Sequence, residues 1–94
     1  MPTSPTVQHN VVAHRYEINV DGHLAVAEYE LRDGRQVFTH TEVPVELRGR
    51  GLAEILVRQA LDEARAVDRK IVPLCSYVAK FIERNREYQP LLAK

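Results

Sequence analysis

The chain has 94 residues, with 13 basic and 13 acidic side chains, a formal net charge of zero, and one cysteine, Cys75. This length suits one small domain, and the balanced charge provides no overall field that would favour nucleic acid or an anionic membrane. A single cysteine excludes an internal disulfide framework and favours a reducing compartment. No apolar run reaches the ~20 residues of a membrane span, and the N-terminus does not resemble a signal peptide, so we expect a cytoplasmic protein.

The N-terminal half of the sequence predicts a tail followed by antiparallel strands. Residues 1–10 carry prolines and small polar residues, and we expect a flexible tail there, before a single domain over residues 11–94. Alternating apolar residues begin at Tyr16, and the pairs Asp21-Gly22 and Asp33-Gly34 predict tight hairpin turns. The pattern therefore indicates a meander of three strands.

The third strand of this meander is predicted over the segment QVFTHTEV, and it should end, bulge or splay near Pro44, because proline has no N–H group to donate to a sheet. Period-two alternation places three of its side chains on one face, namely Phe38, His40 and Glu42.

The C-terminal half predicts two helices separated by a short strand. Apolar residues recur at helical spacing from Leu52 to about Val67, and SYVAKFIERNREY predicts a second helix. The intervening segment KIVPLC follows a helix-length crossover, so its strand should lie parallel to the third strand in a right-handed β-α-β unit. The expected order is β-β-β-α-β-α, a mixed α+β fold with a mixed sheet and two helices.

The segment RGRGLA, residues 48–53, lies between the third strand and the first helix. The N-terminus of a helix has unpaired N–H groups and a partial positive charge, and glycines let a ligand approach the backbone closely. Two arginines add charge, so the segment suits an anion such as phosphate. It is neither a complete G-x-G-x-x-G nor a P-loop motif. The alternative is a glycine-containing helix start with solvated arginines.

RGRGLA matches R-x-x-G-x-G/A, the pyrophosphate loop of the GNAT superfamily of acetyl-CoA-dependent N-acetyltransferases. More narrowly, HTEVPVELRGRGLA together with VPLCSYVAKFI resembles a subfamily of very short GNAT-like proteins, and this resemblance extends from about His14 to the C-terminus. It implies a minimal GNAT-like fold with a splayed pair of parallel strands, and acetyl-CoA as the acyl donor.

The resemblance also implies which residues would bind coenzyme A. The loop would wrap the pyrophosphate with backbone amides, the end of the third strand would face the pantetheine arm, and the last helix would flank the other side. The residues implied in this way are Val43, Val45, Arg48, Gly49, Arg50, Gly51, Leu52, Ala53, Tyr77, Phe81 and Arg84.

Catalytic roles follow less directly, because the two N-terminal helices of most GNAT enzymes are missing and Ile82 stands where many members carry a tyrosine acid. Cys75 is expected near the thioester, where it either takes the acetyl group or assists transfer, or else packs as a small apolar side chain. His40, with Glu42 on the same face, suits the base that deprotonates an amine; the alternative is a partly buried histidine bonded to a neighbour. The other histidines, His9, His14 and His23, are expected at the surface, and no spacing resembles a metal site.

From the sequence alone, three functions are possible. The resemblance implies an N-acetyltransferase that moves an acetyl group from acetyl-CoA to an amine acceptor whose identity the sequence does not reveal, and we expect a monomer because no long exposed apolar stripe is left over. The missing helices and tyrosine favour an alternative, a non-catalytic coenzyme A-binding sensor or interaction module. A weaker alternative is a structural interaction domain that binds no nucleotide.

Overall fold

A computed structural model of the chain describes residues 5–93. Five strands form one sheet in the order β1-β2-β3-β4-β5. They are β1 (Gln8–Asn10), β2 (Arg15–Val20), β3 (His23–Arg32), β4 (Arg35–Glu42) and β5 (Ile71–Pro73). The helices are α1 (Leu52–Ala66) and α2 (Ser76–Arg84), with 3-10 turns at Val45–Leu47 and Arg86–Leu91. The predicted mixed α+β architecture is confirmed, with one additional strand at its N-terminal edge.

The central meander forms as the turn residues predicted. Strand β2 pairs antiparallel with β3, and β3 pairs antiparallel with β4. In the two connecting turns φ is 52° at Asp21 and 82° at Gly22, and 53° at Asp33 and 76° at Gly34. Positive φ at both central residues is the turn geometry that matches the twist of a hairpin, and Asp-Gly tolerates it well.

Residues 8–10 form an edge strand, so the prediction of a flexible tail is wrong for them. Strand β1 pairs antiparallel with β2, and His9 lies opposite Tyr16. The two rings stack with centroids 4.0 Å apart, and the His9 imidazole also lies within 3.2 Å of Glu63 Oε1 and 2.5 Å of Tyr29 Oη. These contacts outweigh the local composition, and they place His9 in a half-buried network rather than freely at the surface. Residues 1–4 of the expected tail lie outside the described part of the chain.

The parallel pair β4–β5 is short, and its two strands separate early. Pairing runs only from Gln36 opposite Ile71 to Phe38 opposite Pro73. The Cys75 N–H then donates to the Phe38 carbonyl at 2.9 Å, and the chain turns into α2. The expected splay is therefore present, but it opens after Phe38 because β5 ends there, well before Pro44.

A bulge in β4 corrects the predicted face of its side chains. Glu28 lies opposite His40 whereas Tyr29 lies opposite Phe38, so Thr39 is the extra residue between them. Because one inserted residue reverses the alternation, Phe38 does not share a face with His40 and Glu42. Phe38 is buried in the core, while His40 and Glu42 are exposed.

The core lies between one face of the sheet and the two helices. It contains the buried stripe of α1, which begins at Leu52 and ends at Ala64, and Val78, Phe81 and Ile82 of α2. Tyr88 and Leu91 of the C-terminal 3-10 turn complete it, so this segment is packed. Within residues 5–93, no helix is both long and apolar enough to cross a membrane.

Candidate coenzyme-binding site

The backbone of the loop between β4 and α1 explains its two glycines. Gly49 has φ of 82° and Gly51 has φ of 73°, in the left-handed region that residues with a Cβ rarely adopt. A Cβ built on either residue would meet nothing within 4 Å. The glycines are therefore required by backbone conformation rather than by crowding, and the space above them is open to a ligand.

The first turn of α1 presents free backbone donors to that open space. Gly51 occupies the N-cap position, and no side chain caps the helix. The first helical hydrogen bond is donated by the Ile55 N–H to the Gly51 carbonyl at 3.2 Å. The N–H groups of residues 52–54 consequently have no partner within the helix, and the dipole of this 15-residue helix adds positive potential there. Such an end binds anions.

The arginines of the loop do not act alike. Arg48 folds back, and its Nε donates to the Val43 carbonyl at 3.2 Å. Its backbone N–H donates to the Val45 carbonyl at 3.3 Å. Both carbonyls expected to face pantetheine therefore accept one hydrogen bond already, although a carbonyl oxygen can accept a second. Arg50 is exposed beside the glycines and leaves the loop with a cation at its surface.

The α2 residues implied by the resemblance share one cleft next to the start of α1. Tyr77, Phe81 and Arg84 line a cavity of about 140 Å³. Glu54, from the first turn of α1, and Lys80 also line it, and neither was predicted. Burial raises the pKa of Tyr77, the Glu54 carboxylate raises it further, and the Arg84 guanidinium opposes this rise. The spacing of Lys80 three residues after Tyr77 could have indicated that the two share a helix face.

Cys75 stands where the two parallel strands separate. It is the N-cap residue of α2 and is partly buried, and its carbonyl accepts the Ala79 N–H at 3.0 Å. Its sulfur lies 3.5 Å from the Thr41 hydroxyl across the splay. Thr41 was not predicted as a site residue, because only the bulge at Thr39 turns it toward the helices.

His40 and Glu42 are brought together, but not beside Cys75. Nε2 of His40 lies 3.8 Å from Oε2 of Glu42, and both side chains are more than half exposed. Thr41 lies opposite the buried Ala27, which places it on the core face of β4. His40 and Glu42 alternate with Thr41 and so occupy the opposite, open face. Within the described residues, no group of three His, Cys, Asp or Glu side chains could hold a metal ion.

Comparisons with known proteins agree with this geometry. The family model described as GCN5-related N-acetyl-transferase matches residues 15–91, a span that contains every site residue named above. The chain belongs to the GCN5-related N-acetyltransferase family. The resemblance stated from the loop and the block around Cys75 is thereby confirmed.

Two relatives and a solved structure are similar to this GNAT chain. Protein NATD1 of Mus musculus is 35% identical over 82 residues, covering 84% of this chain and 74% of the relative. Protein NATD1 of Danio rerio is 34% identical over 88 residues, covering 90% and 80%. The NMR solution structure of a GCN5-like protein from Staphylococcus aureus superposes with a TM-score of 0.73 at 24% identity, covering 94% of this chain and 87% of that one. That likeness concerns the fold.

Proposed function

We propose that this GNAT chain binds acetyl-CoA and transfers the acetyl group to an amine. The observation that carries the proposal is the uncapped start of α1, where Gly49 and Gly51 adopt left-handed conformations and leave open space above free amides. A pyrophosphate carries the negative charge and the acceptor oxygens that such a helix start binds. Residues 48–53 would hold this group, and the cleft lined by Tyr77, Phe81 and Arg84 would flank the rest of the nucleotide.

The pantetheine arm would enter the gap between β4 and the end of β5. Beyond Phe38, β4 has no partner on the β5 side within residues 5–93, so its backbone groups there are available to an extended amide chain. The gap leads to the Thr41–Cys75 contact. The thioester would therefore lie close to Cys75.

Direct transfer needs an amine nitrogen to attack the thioester carbonyl carbon. The carbon–sulfur bond breaks, coenzyme A leaves as a thiolate that takes up a proton, and a main-chain N–H near Val43 stabilises the oxygen of the tetrahedral intermediate. His40 and Glu42 are the candidates for removing the proton from the amine. Because both lie on the open face of the sheet, the amine would approach from that face.

Covalent transfer through Cys75 is the second route to the same product. The cysteine thiolate would attack the thioester, form an acyl-cysteine and release coenzyme A; the amine would then attack the acyl-cysteine and restore the thiol. The partial burial of Cys75 at the start of α2 supports access to a bound thioester.

A coenzyme A-binding sensor is the second candidate function, and two observations favour it. Ile82, which stands where many GNAT enzymes carry a tyrosine acid, is buried in the core. Tyr77 lines the cleft beside Glu54 at the start of α1, rather than making the Cys75 contact. In a sensor, the donor would bind and remain intact.

One experiment separates these functions. The protein is mixed with acetyl-CoA and its mass is measured under denaturing and native conditions, beside Cys75→Ala, while thiol release is followed with a panel of lysine peptides and polyamines. A covalent gain of about 42 Da that disappears in Cys75→Ala supports the acyl-cysteine route. Amine-dependent thiol release without this gain supports direct transfer. Bound donor with neither signal supports the sensor, and absence of binding contradicts both functions.

A further inference from the structure

A second cleft lies at the far end of α1 from the glycine loop. It has a volume of about 320 Å³ and is lined by His9, Tyr16, Gln36, Glu63, Ala64, Ala66, Val67 and Arg69. Ala64 is twelve residues along α1 from Leu52, so the cleft is about 18 Å from the proposed pyrophosphate site. Its volume is at the lower end of the ~300–1,000 Å³ typical of small-molecule sites.

A buried amide in this cleft has no well-formed hydrogen bond. Gln36 is 1% exposed, and within residues 5–93 its Nε2 makes no hydrogen bond of ordinary geometry, although it is near enough to the Tyr16 hydroxyl to oppose the rise in the pKa of that tyrosine. An unpaired buried amide donor lowers stability, so a ligand that accepts a hydrogen bond from it is favoured. The backbone N–H of Gln36 donates to the Lys70 carbonyl at 2.9 Å, so the side-chain amide is the donor of this residue that a ligand could engage.

The carboxylate in the cleft does not supply that partner, because its hydrogen bonds are made to other groups. Glu63 Oε1 accepts from Tyr16 Oη at 3.2 Å and contacts His9 Nδ1 at the same distance. Its Oε2 accepts from Gln59 Nε2 at 3.0 Å. The hydrogen-bonded network of Glu63, His9 and Tyr16 therefore forms one wall of the cleft rather than a set of open ligand groups.

Arg69 provides the cation that remains for a ligand. Its side chain is partly buried and lines the cleft, and it forms no ion pair among residues 5–93. The guanidinium is close enough to Tyr29 to oppose the rise in pKa that burial causes in that tyrosine. Ala64, Ala66 and Val67 complete the wall with apolar surface.

We propose that this cleft binds a small organic monocarboxylate. The carboxylate would accept hydrogen bonds from Arg69 and from the Gln36 amide, and its hydrocarbon part would pack on Ala64 and Val67. A single negative charge fits better than a phosphate dianion, because the Glu63 carboxylate repels further negative charge nearby. This site is independent of the coenzyme A function.

The test is a titration of the full, isotope-labelled protein with butyrate, followed by NMR. We expect the side-chain NH2 signals of Gln36 and the backbone amides of Ala64, Ala66 and Val67 to shift together, with a dissociation constant on the order of 1 mM, as suits so small a ligand. Arg69→Gln should weaken binding about tenfold. Arg65→Gln is the matched control, since Arg65 lies in the last turn of α1, four residues before Arg69, pairs with Asp62 and does not line the cleft.

Three outcomes would overturn the proposal. The first is no shift of the Gln36 amide with butyrate, which would mean that the cleft holds only water. The second is butyramide binding as tightly as butyrate, which would show that the negative charge is not recognised. The third is equal affinity for butyrate in Arg69→Gln and Arg65→Gln.

A further variant, Gln36→Met, removes the amide donor while retaining an unbranched side chain. We expect it to abolish butyrate binding while the backbone amide spectrum of the folded protein is retained.

Discussion

The hydroxyl of Thr41 and the sulfur of Cys75 lie 3.5 Å apart across the gap where β4 leaves β5. They are 34 residues apart in sequence, and two features bring them together. The bulge at Thr39 turns Thr41 toward the core face, and the hydrogen bond from Cys75 N–H to the Phe38 carbonyl holds the start of α2 against β4. The only cysteine of the chain thus has a hydroxyl beside it at the point where the coenzyme thioester is proposed to lie.

The first prediction concerns the reactivity of Cys75. Thr41→Val keeps the shape of the side chain but removes the hydroxyl, and a hydrogen bond to the thiolate is worth about 1 kcal/mol or more. We therefore expect alkylation of Cys75 by iodoacetamide to slow by about fivefold, as measured by intact mass over time. Thr39→Val is the matched control, because its hydroxyl faces the Glu28 carbonyl instead. Equal rates in Thr41→Val and the unsubstituted protein would contradict a role for the hydroxyl.

The second prediction separates backbone strain from ligand binding in the glycine loop. Gly49 and Gly22 both have φ of 82° and open space around a built Cβ. Gly49→Ala and Gly22→Ala should therefore each lower the free energy of unfolding by about 1–2 kcal/mol, measured by urea denaturation. Only Gly49→Ala should also weaken coenzyme A binding, measured by calorimetry. If the two variants bind coenzyme A with equal affinity, the loop is not part of the coenzyme-binding site.

The third prediction tests the edge strand. His9 stacks on Tyr16 and contacts Glu63 and Tyr29, so His9→Ala removes packing and leaves polar partners unpaired. We expect a loss of about 1–2 kcal/mol in unfolding free energy, and faster hydrogen exchange of the β1–β2 amides. His23→Ala is the control, because that side chain is 44% exposed and its contact with Glu46 is long, at 3.7 Å. We expect it to change the unfolding free energy by no more than about 0.5 kcal/mol. If His9→Ala and His23→Ala lower the unfolding free energy by the same amount, β1 does not depend on the contacts of His9.

The fourth prediction concerns alkaline pH. Burial raises the pKa of Tyr16 well above its ordinary value, and the Glu63 carboxylate adds to the rise while the Gln36 amide opposes it. Because the folded pKa is higher than the unfolded one, the unfolded chain loses this proton first. The associated stability is complete below about pH 10 and is lost as the pH rises toward the folded pKa.

Tyr16→Phe provides the measurement for this pH effect. The variant lacks the ionising group, so its unfolding free energy should fall less steeply above about pH 10 than that of the unsubstituted protein, although it loses the hydrogen bond to Glu63 at neutral pH. Urea denaturation at several pH values gives the two slopes. Identical slopes would mean that Tyr16 ionises as readily in the folded chain as in the unfolded one. Tyr77→Phe should change this slope less than Tyr16→Phe does, since Tyr77 is 40% exposed and Tyr16 only 1%.

Much of the fold could be predicted because its signals are local. The Asp-Gly pairs accommodate the positive φ values of the hairpin turns, and the helical period of α1 begins at Leu52 as expected. The glycines at 49 and 51 likewise mark the left-handed residues of the loop. In each case a few neighbouring residues determine the backbone conformation, so the pattern can be interpreted without knowledge of distant contacts.

Other features depend on contacts between distant segments, and only the tertiary structure decides them. Strand β1 forms because His9 stacks on Tyr16 and also contacts Tyr29 and Glu63, which are 20 and 54 residues away in sequence. The bulge at Thr39 follows from the register between β3 and β4, and it decides that Thr41 lies on the face of Cys75 while His40 and Glu42 lie on the other face. In the sequence Gln36 is an ordinary polar strand residue, and only packing buries its amide without a well-formed hydrogen bond. The local sequence determines turns and helix starts, whereas register and burial depend on which segments pack against each other.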